Sequence, residues 1–251
     1  MNSIILCEGF DDIFFVGYYL FKTNTWTIEK NRKISDLYDF PDIKHRNQAI
    51  EVYGKGDNTI SIWCVGGKDS YEQSFKFMQK INEQFPQEGF QQVFLLCDRD
   101  NSEIEDCLTI IEETMKKYGL AVGKLNNNVP NQFQYEVEGD IYNFCVIPII
   151  IPFDETGALE TVLLKAIEET GEVDSFIVHE GKKYIDGLLN MGVQKKYLKH
   201  DRLVLKAKFS SVISVTNPDR STALFNALLM SNPWEEKESI KEHFGIFDRL
   251  L

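Results

Sequence analysis

Apolar residues along this chain fall into short continuous runs separated by segments of helical spacing, and the alternation repeats through the first two thirds. Residues 3–7 are a β-branched, apolar run closed by Glu8-Gly9, the pattern of a buried strand. Asp11-Asp12 then opens a segment whose apolar positions Phe14, Phe15, Tyr18, Tyr19 and Leu20 predict a helix. Residues 59–65 predict a second strand ended by Gly66-Gly67, after which Asp69 or Ser70 caps a helix that turns Phe75, Phe77, Met78 and Ile81 inward. Residues 90–97 predict the third strand, and 103–118 a helix with Ile104, Leu108, Ile111 and Met115 three or four apart and Gly119 as its stop. A fourth strand spans 142–151; Pro152 and Asp154 end it before a helix over 157–169.

Two stretches interrupt this rhythm. Residues 22–56 are polar, carry Pro41, and predict a loop with a short helix over 45–53, while 126–134 predict a loop or hairpin. From Glu172 onward strand patterns stop, and Phe176, Tyr184, Leu188, Leu203, Phe209, Leu224 and Phe247 mark helical faces broken at Pro218 and Pro233. Strands alternating with helices imply an α/β protein with a mostly parallel, four-stranded sheet and helices on both faces. The division expected is a domain over 1–170, with a polar insertion at about 22–56, and a helical C-terminal region over 171–251 packed on it.

Composition narrows the class. A chain of 251 residues with 43% hydrophobic and 26% charged residues can bury a substantial core. No apolar stretch approaches the roughly 18 residues a membrane-spanning helix needs. Glu8, Asp11 and Asp12 interrupt any signal-peptide core, so the expected location is the cytoplasm, without membrane association. The five cysteines occur singly, with no Cys-x-x-Cys spacing, which argues against disulfides and against a structural zinc site.

The formal charge of −12 opposes an ordinary nucleic-acid surface, because such surfaces bind through release of counterions by clustered cations. Two routes round it exist. In residues 182–208, Lys182, Lys183, Lys195, Lys196, Lys199, Arg202, Lys206 and Lys208 outnumber Glu180, Asp186 and Asp201, and a partner protein could also supply the basic face.

Candidate chemistry sits at the strand ends, which border the ligand crevice of an open α/β sheet. Asp98-Arg99-Asp100 follows the third strand, and in extended backbone the period of two puts both carboxylates on one side, able to share a divalent ion that keeps open positions for phosphate oxygens. Glu8, ending the first strand, completes an acidic trio if strands one and three are neighbours, and could carry a proton to or from a reacting oxygen. The bland alternative is that these acids cap helices, as Asp11 and Asp12 are placed to do. Gly66-Gly67-Lys68 lacks the spacing of a Walker loop, though amides at a helix start can hold a phosphate. Lys206 and Lys208 lie on a basic helix, either reaching the acidic trio to neutralise a phosphate or forming a solvated face. None of His45, His179, His200 and His243 has the setting of a ligand.

Taken in order, Leu6-Cys7-Glu8-Gly9 with Asp12 and Phe15, then Trp63-Cys64-Val65-Gly66-Gly67, then Leu96-Cys97-Asp98-Arg99-Asp100, resemble the Toprim domain shared by topoisomerases, bacterial primases and OLD-family nucleases. The likeness covers residues 3–165 and is closest to stand-alone Toprim-like proteins related to the OLD nucleases and to Toprim nuclease effectors of anti-phage defence. It implies a Toprim-like fold and hydrolysis of nucleic-acid phosphodiesters with Mg2+ or Mn2+. Glu8 would be acid or base and metal-site member, and Asp98 and Asp100 metal ligands. The segment 152–160 resembles that group's Gly-x-Leu-Glu element and makes Glu160 a further ligand. The alternative is a silent or partner-activated Toprim subunit of an ATPase-containing complex; a homodimer is also open. The insertion at 22–56 departs from a minimal Toprim domain.

Overall fold

A computed structural model describes residues 2–29, 49–67, 70–85, 89–118 and 123–251. Its described residues form two compact units, one holding the chain up to residue 97, 103–150 and Leu251, the other 98–102 and 151–250. Among the described residues no helix is long and apolar enough to cross a membrane.

The first unit is organised by a seven-stranded sheet. Its strands are β1 (Asn2–Cys7), β2 (Thr27–Ile28), β3 (Ala49–Lys55), β4 (Asn58–Cys64), β5 (Gln92–Asp98), β6 (Asn131–Val137) and β7 (Asp140–Ile151), in the order β2-β3-β4-β1-β5-β7-β6. β1 lies parallel to both β4 and β5, with Cys7 opposite Cys64 on one side and Leu96 on the other. The pairs β2–β3, β3–β4 and β6–β7 are antiparallel. The expectation of a mostly parallel, four-stranded sheet therefore gives way to a mixed sheet of seven strands. The four strands anticipated are β1, β4, β5 and β7, whose mainly apolar stretches are buried on both faces. The three additional strands come from the stretches read as polar. Residues 49–55 form β3 where a short helix over 45–53 was expected; the earlier part of that helix lies outside the described residues. Ile50 and Val52 favour a strand, and pairing with β4 along its whole length supplies the backbone partners that a lone short helix would lack. β6 and β7 close a hairpin at Glu138-Gly139, both at positive φ (54° and 93°), as a two-residue turn of matching twist requires.

Among the described residues three helices belong to this unit: α1 (Phe10–Asn24), α2 (Tyr71–Gln84) and α3 (Ile104–Lys117). One core joins Ile4 and Leu6 of β1, Trp63 of β4, Val93 and Leu95 of β5, and Val146 and Ile150 of β7 with Phe75, Phe77, Met78 and Ile81 of α2 and Leu108, Ile111 and Met115 of α3. Alternate strand residues thus face one pair of helices, as period-two side-chain alternation demands.

The second unit is helical: α4 (Leu159–Glu168), α5 (Glu172–Asn190), α6 (Asp201–Thr216), α7 (Phe225–Leu229), α8 (Glu238–Phe244) and α9 (Ile246–Leu250). α4 is its hub, packed by α5, α6 and α8. The Glu169 carboxylate accepts the amides of Glu238 (2.8 Å) and Ser239 (2.9 Å), capping α8 from another element. His243 on α8 is fully buried; its Nε2 accepts the Phe153 amide at 3.0 Å and its Nδ1 meets the Ser239 carbonyl at 2.6 Å. α4 belongs with the helices that follow it, so the chain divides near 150 and not at 170.

Candidate functional site

In the first unit the parallel pairing of β1 persists to the strand's last residue. The Val65 amide donates to Cys7 O at 2.8 Å, and the Cys64 thiol reaches Glu8 O at 3.5 Å. Glu8 follows at once and is only 6% exposed, so its carboxylate is held among protein atoms. Burial first, and then the charges of Asp12, Cys64, Glu8 and Cys97, push the Cys7 thiol up, which keeps it protonated and unreactive. Tyr71, whose phenol donates to Leu96 O at 2.6 Å, is likewise pushed up by burial and then by Cys97 and Glu8. Asp12 is a structural residue: its Oδ2 accepts the Gly9 amide at 2.8 Å and fixes the start of α1.

Gly66 and Gly67 stand at φ 88° and 115°, a conformation that L side chains rarely adopt, and this explains the glycine pair after β4. The Ser70 amide donates to Gly67 O at 3.0 Å, so that amide serves the turn itself. Lys68 lies outside the described residues.

The second unit gathers the other acidic candidates. Asp98 is 7% exposed, and its Oδ1 accepts the amide of Leu159, the first residue of α4, at 3.1 Å. A buried carboxylate on a helix N-terminus is stabilising by about 1.5–3 kcal/mol per charged hydrogen bond, so the capping reading has a direct observation behind it. Asp100 departs from expectation. β5 ends at Asp98, and Asp100 sits at φ 54° with its amide donating to Gly157 O at 2.7 Å in an isolated bridge. The chain has left extended geometry, so period-two alternation does not set the direction of the Asp100 side chain. Gly157 itself stands at φ 147°, and a Cβ there would overlap the Thr161 side chain.

Sequence reasoning overlooked Arg99. Only 5% exposed, it donates from its guanidinium to Ser102 O (3.2 Å), Pro152 O (3.4 Å) and Phe153 O (3.3 Å), while its amide donates to Ile151 O at 2.7 Å. It fastens the acidic turn to the segment leading into α4. The available signal was its type: a buried arginine needs several acceptors, and backbone carbonyls of a loop supply them.

Glu160, on the first turn of α4, pairs with Lys206 of α6 at 3.0 Å, so Lys206 does reach an acidic candidate. Lys208 instead pairs with Asp186 of α5 at 2.7 Å. Lys182 and Lys183 are matched with Glu168 (2.8 Å) and Glu180 (3.1 Å). At least half of the cations in the stretch 182–208 are thus offset by carboxylates, which weakens it as a phosphate-binding surface.

The oxygen-only donors fit magnesium or manganese by type. Their placement does not yet fit: among the described residues no group of three or more His, Cys, Asp or Glu side chains is arranged to hold a metal ion.

One solved structure shares the fold. It is a hypothetical protein from Pyrococcus horikoshii OT3, matched with a TM-score of 0.52 at 14% identity over 98% of this chain and 99% of that one. Identity that low carries the fold alone. No family model matches the chain, and a search of curated proteins finds no relative.

Proposed function

We propose that the protein is a metal-dependent phosphodiesterase of the Toprim type acting on nucleic acid. The observation that carries the reading is the order of the sheet. β1 lies between β4 and β5 in parallel, so the strands that end in Glu8, Gly66-Gly67 and Asp98 are neighbours, the motif order on which the resemblance rests. In this reading Asp98 and Asp100 are the ion's ligands, with Glu160 a further one. Glu8, a residue of the first unit, carries protons to or from a reacting oxygen. Lys206 neutralises phosphate charge. Mg2+ or Mn2+ would supply polarisation of the phosphate and a nucleophilic water.

A second reading is favoured by a specific observation. The acidic side chains of the described residues do not close round one ion, and Glu160 already carries the Lys206 ammonium. With a net charge of −12, this suits a Toprim-like subunit that is silent until a partner such as an ATPase binds.

Incubation of the purified protein with plasmid, linear and single-stranded DNA, RNA and tRNA, each with magnesium or manganese, tests the first reading. Divalent-dependent cleavage lost in Glu8→Gln and Asp98→Asn is the expected result; cleavage that survives either substitution removes the assignment. Cleavage that appears only once a partner is added selects the second.

A further inference from the structure

One buried histidine joins the C-terminal helices to the segment that anchors the acidic turn. Residues 152–157 lead from β7 into α4, and the turn at 98–102 grips them through Arg99, which donates to the Pro152 and Phe153 carbonyls, and through the Asp100 amide, which donates to Gly157 O. α8 grips the same segment through Phe153. The Phe153 amide donates to His243 Nε2 at 3.0 Å, and the two rings lie against each other with centroids 4.3 Å apart. Phe153 is therefore the link between α8 and Arg99.

The two ring contacts fix the state of the imidazole. Ser239 O, 2.6 Å from Nδ1, can only accept, so Nδ1 carries a proton; the Phe153 amide can only donate, so Nε2 must present its lone pair. The neutral ring alone satisfies both. A second proton would set N–H against N–H at a side chain that is fully buried, where no water can take up either donor. We propose that His243 is a proton-operated latch: protonation at Nε2 expels the Phe153 amide, frees residues 152–157 from α8 and so loosens the acidic turn that Arg99 and Asp100 fasten to them. Among the charges acting on the ring, Glu242 on α8 and Asp154 in the segment favour the imidazolium, and Lys165 on α4 opposes it. Burial outweighs the carboxylates and holds the histidine below its ordinary value, so the latch is closed at neutral pH. Glu169 of α4 is turned to the amides of Glu238 and Ser239, and the other elements packed against α8 bring Glu235 and Glu236, and Asp248 and Arg249 of α9. Asp154, which its hydrogen bond to Lys165 holds below the usual carboxylate range, keeps its charge while a histidine titrates, so that ion pair does not open first. In the open segment the histidine returns to about 6.5; opening therefore gains as pH falls below that value and levels off once pH has passed the lower, folded one. The device belongs to the second unit and does not depend on what the acidic turn binds.

Hydrogen–deuterium exchange of the full chain at pH 7 and pH 5, corrected for the intrinsic pH dependence of exchange, tests it. Peptides covering 151–157 and 98–102 are expected to lose protection about tenfold between the two conditions, since opening takes up one proton, while peptides of α5 keep theirs. His243→Gln cannot titrate, so in that variant the protection of 151–157, whatever its level, should no longer depend on pH. The unmutated chain supplies a second measurement that does not need the variant to fold. In nitrogen-15 NMR the His243 ring and the Phe153 amide should shift together, with one midpoint on the acid side of the ordinary histidine value. Protection of 151–157 that is indifferent to pH, the same loss in His243→Gln, a loss spread evenly over the helices of the second unit, or separate midpoints for the ring and the amide overturns the proposal.

Discussion

Asp100 offers the sharpest test of how this turn is built. It is a non-glycine residue at φ 54°, and its backbone cannot relax by rotating away: its own amide is bonded to Gly157 O and the preceding amide to Ile151 O, both at 2.7 Å. Each bond contributes about 0.5–1.5 kcal/mol. The left-handed region costs an ordinary L-residue roughly 1–2 kcal/mol, and aspartate or asparagine somewhat less. Asp100→Gly removes that strain but loosens the unfolded chain by about 0.4–1 kcal/mol, so the two effects nearly cancel. Asp100→Asn should likewise be close to neutral. Asp100→Ala keeps the strain, loses the tolerance of a short polar side chain, and should fall about 1 kcal/mol below the glycine variant. With a urea dependence of about 2 kcal/mol per molar, that is a midpoint lower by about 0.5 M, well resolved by circular dichroism. Equal midpoints for alanine and glycine would refute the claim that the turn holds this residue left-handed. Calorimetry with manganese adds the functional half: the proposed ligand role predicts that the glycine variant keeps its stability and loses ion uptake.

Two further perturbations address the second unit. His243 accepts the Phe153 amide at Nε2, and burial, its largest influence, holds its pKa below the usual histidine value. A depressed folded-state pKa means that the unfolded chain protonates first, so the stabilisation is complete above the unfolded value of about 6.5 and is lost as pH falls below it through the folded one. Urea midpoints should therefore drop between pH 8 and pH 5, and His243→Gln should flatten that slope; an unchanged slope would show that His243 is not its source. For Glu160 and Lys206, a double-mutant cycle with Glu160→Gln and Lys206→Met should give a coupling of about 1 kcal/mol, modest because the lysine is more than a third exposed, and smaller at high salt. No coupling would remove Lys206 from the acidic cluster.

Much of the fold could be read from the chain because its central strands are so apolar. β1, β4, β5 and β7 are short stretches dominated by Ile, Leu, Val, Phe, Trp and Cys, and the helices beside them keep their apolar residues three or four apart. The flanking strands were harder. β6 does alternate, as Gln132-Phe133-Gln134, but it begins inside a stretch rich in Asn, and β3 lies in a polar segment where a few apolar residues match either period. Nor was the boundary near 150 legible. The amphipathic pattern of α4 says that it packs on something, and only its contacts with α5, α6 and α8 say on what. The acidic residues could be named from their strand context, but not aimed. The conformation of Asp100 is set by Gly157, a bridge between distant positions that no local pattern encodes.

Those long-range bonds bear on how substitutions in the acidic turn are to be read. Arg99 and Asp98 have structural duties that any version of this turn would need: one binds the carbonyls of Pro152 and Phe153, the other the first amide of α4. The Asp100 amide makes the bridge to Gly157, so all three residues are tied to the segment that leads into α4. At φ 54° Asp100 holds a conformation that glycine adopts without steric penalty. Substitutions at Asp98 or Arg99 therefore disturb the turn itself, and a loss of cleavage in Asp98→Asn counts for the proposed chemistry only where the urea midpoint of the variant is unchanged.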